Sequence, residues 1–131
     1  MVFLDTVGLI ALWDRRDQWH QAAQSALAKC DQTSIRFVLS TYVFLECANH
    51  AARKPYRSEV IRLREELIHS GDLFEPSTDE IVDAWNHYSR FTLGNAAVID
   101  LVSFAIMSRL EIKEAFTNDQ HFKAAGFETQ V

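Results

Sequence analysis

Four carboxylates in this chain stand where they can do chemistry. Asp5 directly follows the apolar run VFL, and Glu46 lies inside STYVFLECANHA among Val43, Phe44, Leu45, Cys47 and Ala48. Asp100 is the only charge in AAVIDLVSFAIM, and Asp119 follows AFT in TNDQHF. An ionised carboxylate in apolar company is costly, on the order of several kcal/mol, unless another group compensates. For Asp100 that group can be one Arg or Lys elsewhere in the fold, a proton held by a raised pKa, or a bound cation. Each acid also has a plainer reading. Asp5 and Asp119 are good helix N-caps, with Asn118 competing for the second cap, and a mid-helix glutamate such as Glu46 is usually solvated.

What decides between these readings is the set of elements that must position the acids. Short apolar runs at 2–4, 36–39, 73–75, 115–117 and 127–129 alternate with helix-like segments near 6–14, 17–30, 41–53, 57–69, 78–90, 96–110 and 119–125. That alternation predicts an α/β fold with a central, mostly parallel sheet of four to five short strands flanked by helices. Strands of a parallel sheet point the same way, so residues just beyond their carboxyl ends gather along one rim, where α/β folds place ligands. Asp5, Glu46, Asp100 and Asp119 each follow a strand directly or lie early in an apolar helix leading off that rim.

Four carboxylates on one rim repel one another, by roughly 3 kcal/mol for a pair about 5 Å apart at an effective dielectric near 20. A hard divalent cation removes that repulsion. An all-oxygen ligand set suits Mg²⁺ or Mn²⁺ better than zinc, which favours His and Cys.

The bulk composition narrows the setting. With 131 residues and only four glycines and two prolines, the chain reads as one domain, 1–131, without linker or repeat. Its net charge of -5 excludes a domain that holds nucleic acid by bulk electrostatics, leaving room only for a local basic strip. Cys30 and Cys47 form no CxxC pair and read as small buried hydrophobes of a reducing compartment. MVFLD lacks the basic start of a signal peptide, and no run approaches the roughly 18 apolar residues of a membrane span, so a cytoplasmic protein without membrane contact is expected.

FLDTVGLIAL, the glutamate of VFLECANHAA, the aspartate of VIDLVSFAIM and TNDQHFKAAGF resemble, in order and spacing, the PIN-domain ribonucleases, and closely the VapC-type toxins of toxin–antitoxin modules. The likeness spans nearly the whole chain. It implies a PIN-like fold with Asp5, Glu46, Asp100 and Asp119 as catalytic quartet. Asp5, Asp100 and Asp119 would hold Mg²⁺ or Mn²⁺, with Glu46 joining through water or positioning the nucleophile. Thr6 and Thr117 match polar positions flanking the first and last acids, and Ser103 lies one turn beyond Asp100. The resemblance further implies an endoribonuclease, an RNA substrate, a cognate antitoxin whose tail enters the acidic rim, and a homodimer. Val7 and Ala97 depart from the family pattern, which often has Ser or Asn at the first position and Ser at the second.

The one basic strip, RKPYRSEVIRLR, offers Arg53, Lys54 and Arg57 for phosphates and Tyr56 for stacking on a base; it also reads as a solvated helix face balanced by Glu59, Glu65 and Glu66. The histidines at 20, 50, 69, 87 and 121 show no ligand-like spacing and read as surface or core residues, while Trp13, Trp19 and Trp85 read as core or interface. Two alternatives compete with a nuclease. A haloacid-dehalogenase-like phosphohydrolase needs a second aspartate where Val7 stands. A PIN-like binding module without catalysis has no need of four acids.

Overall fold

The computed structural model describes residues 1–131. Five strands form one sheet: β1 (Val2–Leu4), β2 (Phe37–Ser40), β3 (Leu73–Phe74), β4 (Glu114–Phe116) and β5 (Glu128–Thr129), in the order β3-β2-β1-β4-β5. Every pairing is parallel; Val2 stands opposite Phe37 on one side and Glu114 on the other. Parallel strands bury both faces, which is why they read as unbroken apolar runs. Phe3, Val38, Leu39, Ala115 and Phe116 are fully buried.

Seven helices supply the cover: α1 (Thr6–Trp13), α2 (His20–Gln32), α3 (Thr41–Ala51), α4 (Arg57–Ser70), α5 (Thr78–Arg90), α6 (Val98–Arg109) and α7 (Gln120–Ala124). None is long and apolar enough to cross a membrane. Their starts follow side-chain capping. Ser40 accepts from the Val43 N–H at 3.2 Å, and Ser77 and Glu80 form a reciprocal capping box. The box glutamate is also gripped by Arg109 of α6 at 2.6 Å, which ties α5 to α6. Helix α2 starts later than the sequence pattern implies. Asp17 accepts from the Trp19 N–H at 2.8 Å, and this local turn delays the helix to His20.

One glycine sets the approach of α1 to the sheet. A Cβ on Gly8 would lie 2.0 Å from the carbonyl oxygen of Phe116, so only glycine lets α1 lie this close to β4. That contact places the residue before α1 beside the residues after β4.

Cys30 and Cys47 are free and buried, as expected. Trp13 packs against the core and stacks on Tyr56 with ring centroids 6.2 Å apart. Tyr56 is only 6% exposed and also stacks on His50, so its ring cannot serve as a base-stacking platform. That expectation fails because its ring is drawn into the cover of α1, which short-range sequence pattern cannot show. Trp19 and Trp85 are exposed.

Candidate active site

The four acids leave the sheet's carboxyl edge by four different elements. Asp5 closes β1 and caps α1, Glu46 stands midway along α3 after β2, Asp100 lies in the first turn of α6, and Asp119 caps α7 after β4. The capping and site readings of Asp5 and Asp119 are therefore compatible. A carboxylate has two oxygens and can use one for each purpose.

The hydrogen bonds divide each carboxylate in that way. Oδ2 of Asp5 accepts from the Val7 N–H at 3.3 Å and the Thr117 hydroxyl at 2.8 Å. Glu46 receives the Thr6 hydroxyl on Oε2. Asp100 accepts from the Ala97 N–H on Oδ2 at 3.2 Å. Oδ1 of Asp119 takes both the backbone N–H and the ring Nδ1 of His121, each at 2.8 Å. One oxygen of each acid is thus anchored by protein donors, and the other stands free of such bonds.

No lysine or arginine pairs with any of the four. This removes the lone-cation explanation of Asp100. Burial raises its pKa to about 6, with the charges of Asp119 and Glu46 adding to the rise. Burial raises Asp5 to about 7, opposed by the Thr117 hydroxyl and reinforced by Asp100. Asp100, Asp119 and His121 each offer a ligand atom within 4.8 Å of the others'. A set of carboxylates with uncommitted oxygens, two of them (Asp5 and Asp100) with raised pKa values, and no paired lysine or arginine fits a divalent metal ion, which would take the place of the protons.

Thr6 and Thr117 each reach an acid from another element: the Thr6 hydroxyl donates to Glu46, and the Thr117 hydroxyl donates to Asp5 while accepting from the Asp119 N–H at 3.1 Å. Ser103 reaches none: it is buried, and its hydroxyl donates back to the Ile99 carbonyl at 2.9 Å inside α6, so its expected role beside Asp100 is corrected. Ala97, with no hydroxyl, leaves half a capping box, since Asp100 accepts from it but nothing returns the bond. The Val7 side chain is exposed, and its N–H does the capping. Cys47 lies next to Glu46 in sequence, but burial pushes its thiol up to about 12, which excludes a thiolate nucleophile.

The sequence reading of His121 as a surface or core residue omits its contact with Asp119. The other partner of His121, Asn95, lies 26 positions away, beyond the reach of any local spacing rule. The only available signal was its position two residues after Asp119.

An open cavity of about 500 Å³ adjoins Glu46, lined by Tyr42, Leu45, Asn49 and Ile99. The largest concavity, about 800 Å³ between α1, α2 and α4, contains none of the four acids. Arg53 and Lys54 are exposed just past the end of α3, and Arg57 donates to the Ala52 carbonyl at 3.2 Å. Further along the strip Arg62 pairs with Glu59 at 2.6 Å, as a balanced solvated face does.

The sequence model of the PIN domain matches residues 2–128. The chain belongs to the PIN-domain family. Among solved structures, this PIN domain is similar to the Mycobacterium tuberculosis VapC20, a sarcin–ricin loop cleaving toxin, with 23% identity, a TM-score of 0.78, and 97% of this chain and 96% of that one covered. It is also similar to FitAcB from Neisseria gonorrhoeae, with 16% identity, a TM-score of 0.65, and 100% and 97% covered. At such identities the likeness establishes the fold. A search of curated protein sequences finds no match.

Proposed function

We propose that this PIN domain is a metal-dependent endoribonuclease and the toxin of a VapBC-type toxin–antitoxin pair. The observation that carries the reading is the convergence of Asp5, Glu46, Asp100 and Asp119 on one sheet edge, with no lysine or arginine among their partners. Asp5, Asp100 and Asp119 would hold Mg²⁺ or Mn²⁺ through the oxygens that carry no protein hydrogen bond. A bound divalent cation supplies charge neutralisation for the phosphodiester and acidifies water. Glu46, fixed through Oε2 by Thr6, keeps Oε1 to orient the attacking water and accept its proton. Because water attacks rather than the ribose 2′-hydroxyl, the products carry 5′-phosphate and 3′-hydroxyl ends.

The similarity to a sarcin–ricin loop cleaving toxin supports RNA as the substrate class. Arg53 and Lys54 stand seven or eight residues past Glu46 in the sequence, and they supply positive charge for the phosphates on an otherwise acidic protein of net charge -5. An antitoxin tail bearing arginine would match the same carboxylates by charge-assisted bonds. The exposed apolar side chains Val82, Trp85, Tyr88 and Phe91 along and after α5 support a homodimer, checked by sedimentation. The cytoplasm is the setting of such a pair.

The deciding experiment is incubation of the purified protein with RNA in Mg²⁺, Mn²⁺ or excess EDTA. Cleavage is expected only with metal, and Asp5→Asn, Asp100→Asn and Asp119→Asn should each abolish it while circular dichroism stays native-like. Equal cleavage in EDTA, or near wild-type turnover by any of these variants, contradicts the assignment. A PIN fold that binds without cutting would show RNA retention and no products.

A further inference from the structure

His121 and Asn95 stand outside the acidic quartet, yet they occupy its edge. The His121 ring presents Nδ1 to Oδ1 of Asp119 at 2.8 Å and Nε2 to the side-chain amide of Asn95 at 2.7 Å. Asn95 belongs to the turn between α5 and α6, just before the helix whose first turn carries Asp100. The imidazole therefore bridges α7, which Asp119 caps, to the segment that launches Asp100. It also occupies Oδ1 of Asp119 together with the backbone N–H of His121, which leaves Oδ2 without a protein hydrogen bond.

We propose that His121 and Asn95 form a bracket that fixes Asp119 in orientation and in separation from Asp100, making His121 a positioning residue of the candidate metal site. This rests on the metal-site reading above. A ring clamped at both nitrogens has one orientation, and groups that orient a ligating carboxylate contribute to metal affinity without touching the metal. The bracket has an inner limb, His121 to Asp119, and an outer limb, His121 to Asn95.

Amide side chains separate the limbs, because the nitrogen of Asn overlays Nδ1 of His and that of Gln overlays Nε2. His121→Asn keeps the inner limb and loses the outer, and His121→Gln does the reverse. The backbone N–H bond that caps α7 survives both. The test is calorimetric titration of Mn²⁺ into the metal-free full chain, with unfolding temperatures as a fold control and RNA cleavage as a separate readout. His121→Gln should weaken Mn²⁺ binding about 10- to 100-fold, the range known for lost outer partners of metal ligands. His121→Asn and Asn95→Ala should each weaken it by a smaller, similar factor, and the double variant should be no weaker than either, since both remove the same limb.

Equal losses in His121→Asn and His121→Gln would make the imidazole itself a ligand and overturn the bracket. Wild-type affinity in His121→Gln would overturn it too. A wild type that binds Mn²⁺ but leaves RNA intact contradicts the nuclease reading alone, and the bracket is still judged by the affinities. A wild type that binds no divalent cation removes both.

Discussion

At the scale of the residue, the site is a matter of which oxygen each carboxylate spends on the protein. Thr117 is the clearest case, fully buried with its hydroxyl on Asp5 at 2.8 Å. Thr117→Val preserves shape, leaves Asp5 with one weaker donor and takes the acceptor from the Asp119 N–H. Loss of a partner from a buried polar group is expected to cost about 1 to 3 kcal/mol, read as a lower denaturant midpoint, and metal affinity should fall with it. An unchanged midpoint and affinity would mean the hydroxyl does nothing for Asp5. Residue type and position in the sequence are enough to nominate Asp5, Glu46, Asp100 and Asp119 as candidates that share one sheet edge, because acids next to apolar strands are expensive without a purpose. They are not enough for Ser103, whose hydroxyl has a nearer acceptor in its own helix, or for His121, whose role depends on Asn95. Periodicity says which face a residue occupies, not which of two neighbours it bonds.

At the scale of the element, strands and helices were legible because apolar runs and capping residues both act locally. The expected Asp5 and Asp119 caps are present, and the shifted start of α2 traces to one Asp17 turn. The half-made box at the start of α6 gives a prediction in the stabilising direction. Ala97→Ser supplies the missing hydroxyl for the Asp100 N–H, and thermal unfolding should show a gain of about 1 kcal/mol, the usual worth of an N-cap. A loss of stability would show that a hydroxyl cannot be accommodated at position 97. The helix-to-strand approach at Gly8 points the other way. Gly8→Ala sets a methyl 2.0 Å from a backbone oxygen, and backbone cannot rotate aside. Destabilisation of about 1 to 3 kcal/mol or more is expected in urea unfolding. RNA cleavage should fall further than stability explains, because moving α1 from β4 separates Thr117 from Asp5. A variant with native stability and cleavage would show that α1 can shift without consequence.

At the scale of the whole molecule, the parallel sheet collects negative charge at one edge, so the folded state carries a cost that depends on pH and on metal. Asp5 and Asp100, raised from 3.8 to about 7 and about 6, hold protons in the folded state that the unfolded chain has already released. Such groups stabilise the fold most at pH below their unfolded values, and that stability is lost as pH rises through about 6 to 7. For a carboxyl as buried as Asp5 the loss is on the order of 4 kcal/mol at 1.4 kcal/mol per pH unit. Asp72 and Glu80 act in the opposite sense. Burial works to raise them, but Arg36 beside the first, and Arg109 with the Ser77 N–H on the second, hold them below their usual values, so their contribution is present above those values and is lost as pH falls below them. The metal-free protein in EDTA should therefore melt lower at pH 8 than at pH 5. Mg²⁺ would bind the ionised acids, so at pH 8 it should stabilise the fold by an amount set by affinity, about 2.7 kcal/mol at a hundredfold excess over Kd, and raise the melting temperature accordingly. At pH 5, where protons compete, the gain should be small. Asp100→Asn removes one of the two raised carboxyls and leaves no cation stranded, since none pairs with it. In EDTA the variant should match or exceed wild type at pH 8, with a shallower fall from pH 5 and a weaker response to Mg²⁺. Thermal unfolding of both proteins at the two pH values, with and without Mg²⁺, decides it. A wild-type melting temperature that does not fall between pH 5 and pH 8 in EDTA, or an Asp100→Asn variant that drops sharply there, would show that the edge is not a strained cluster of acids.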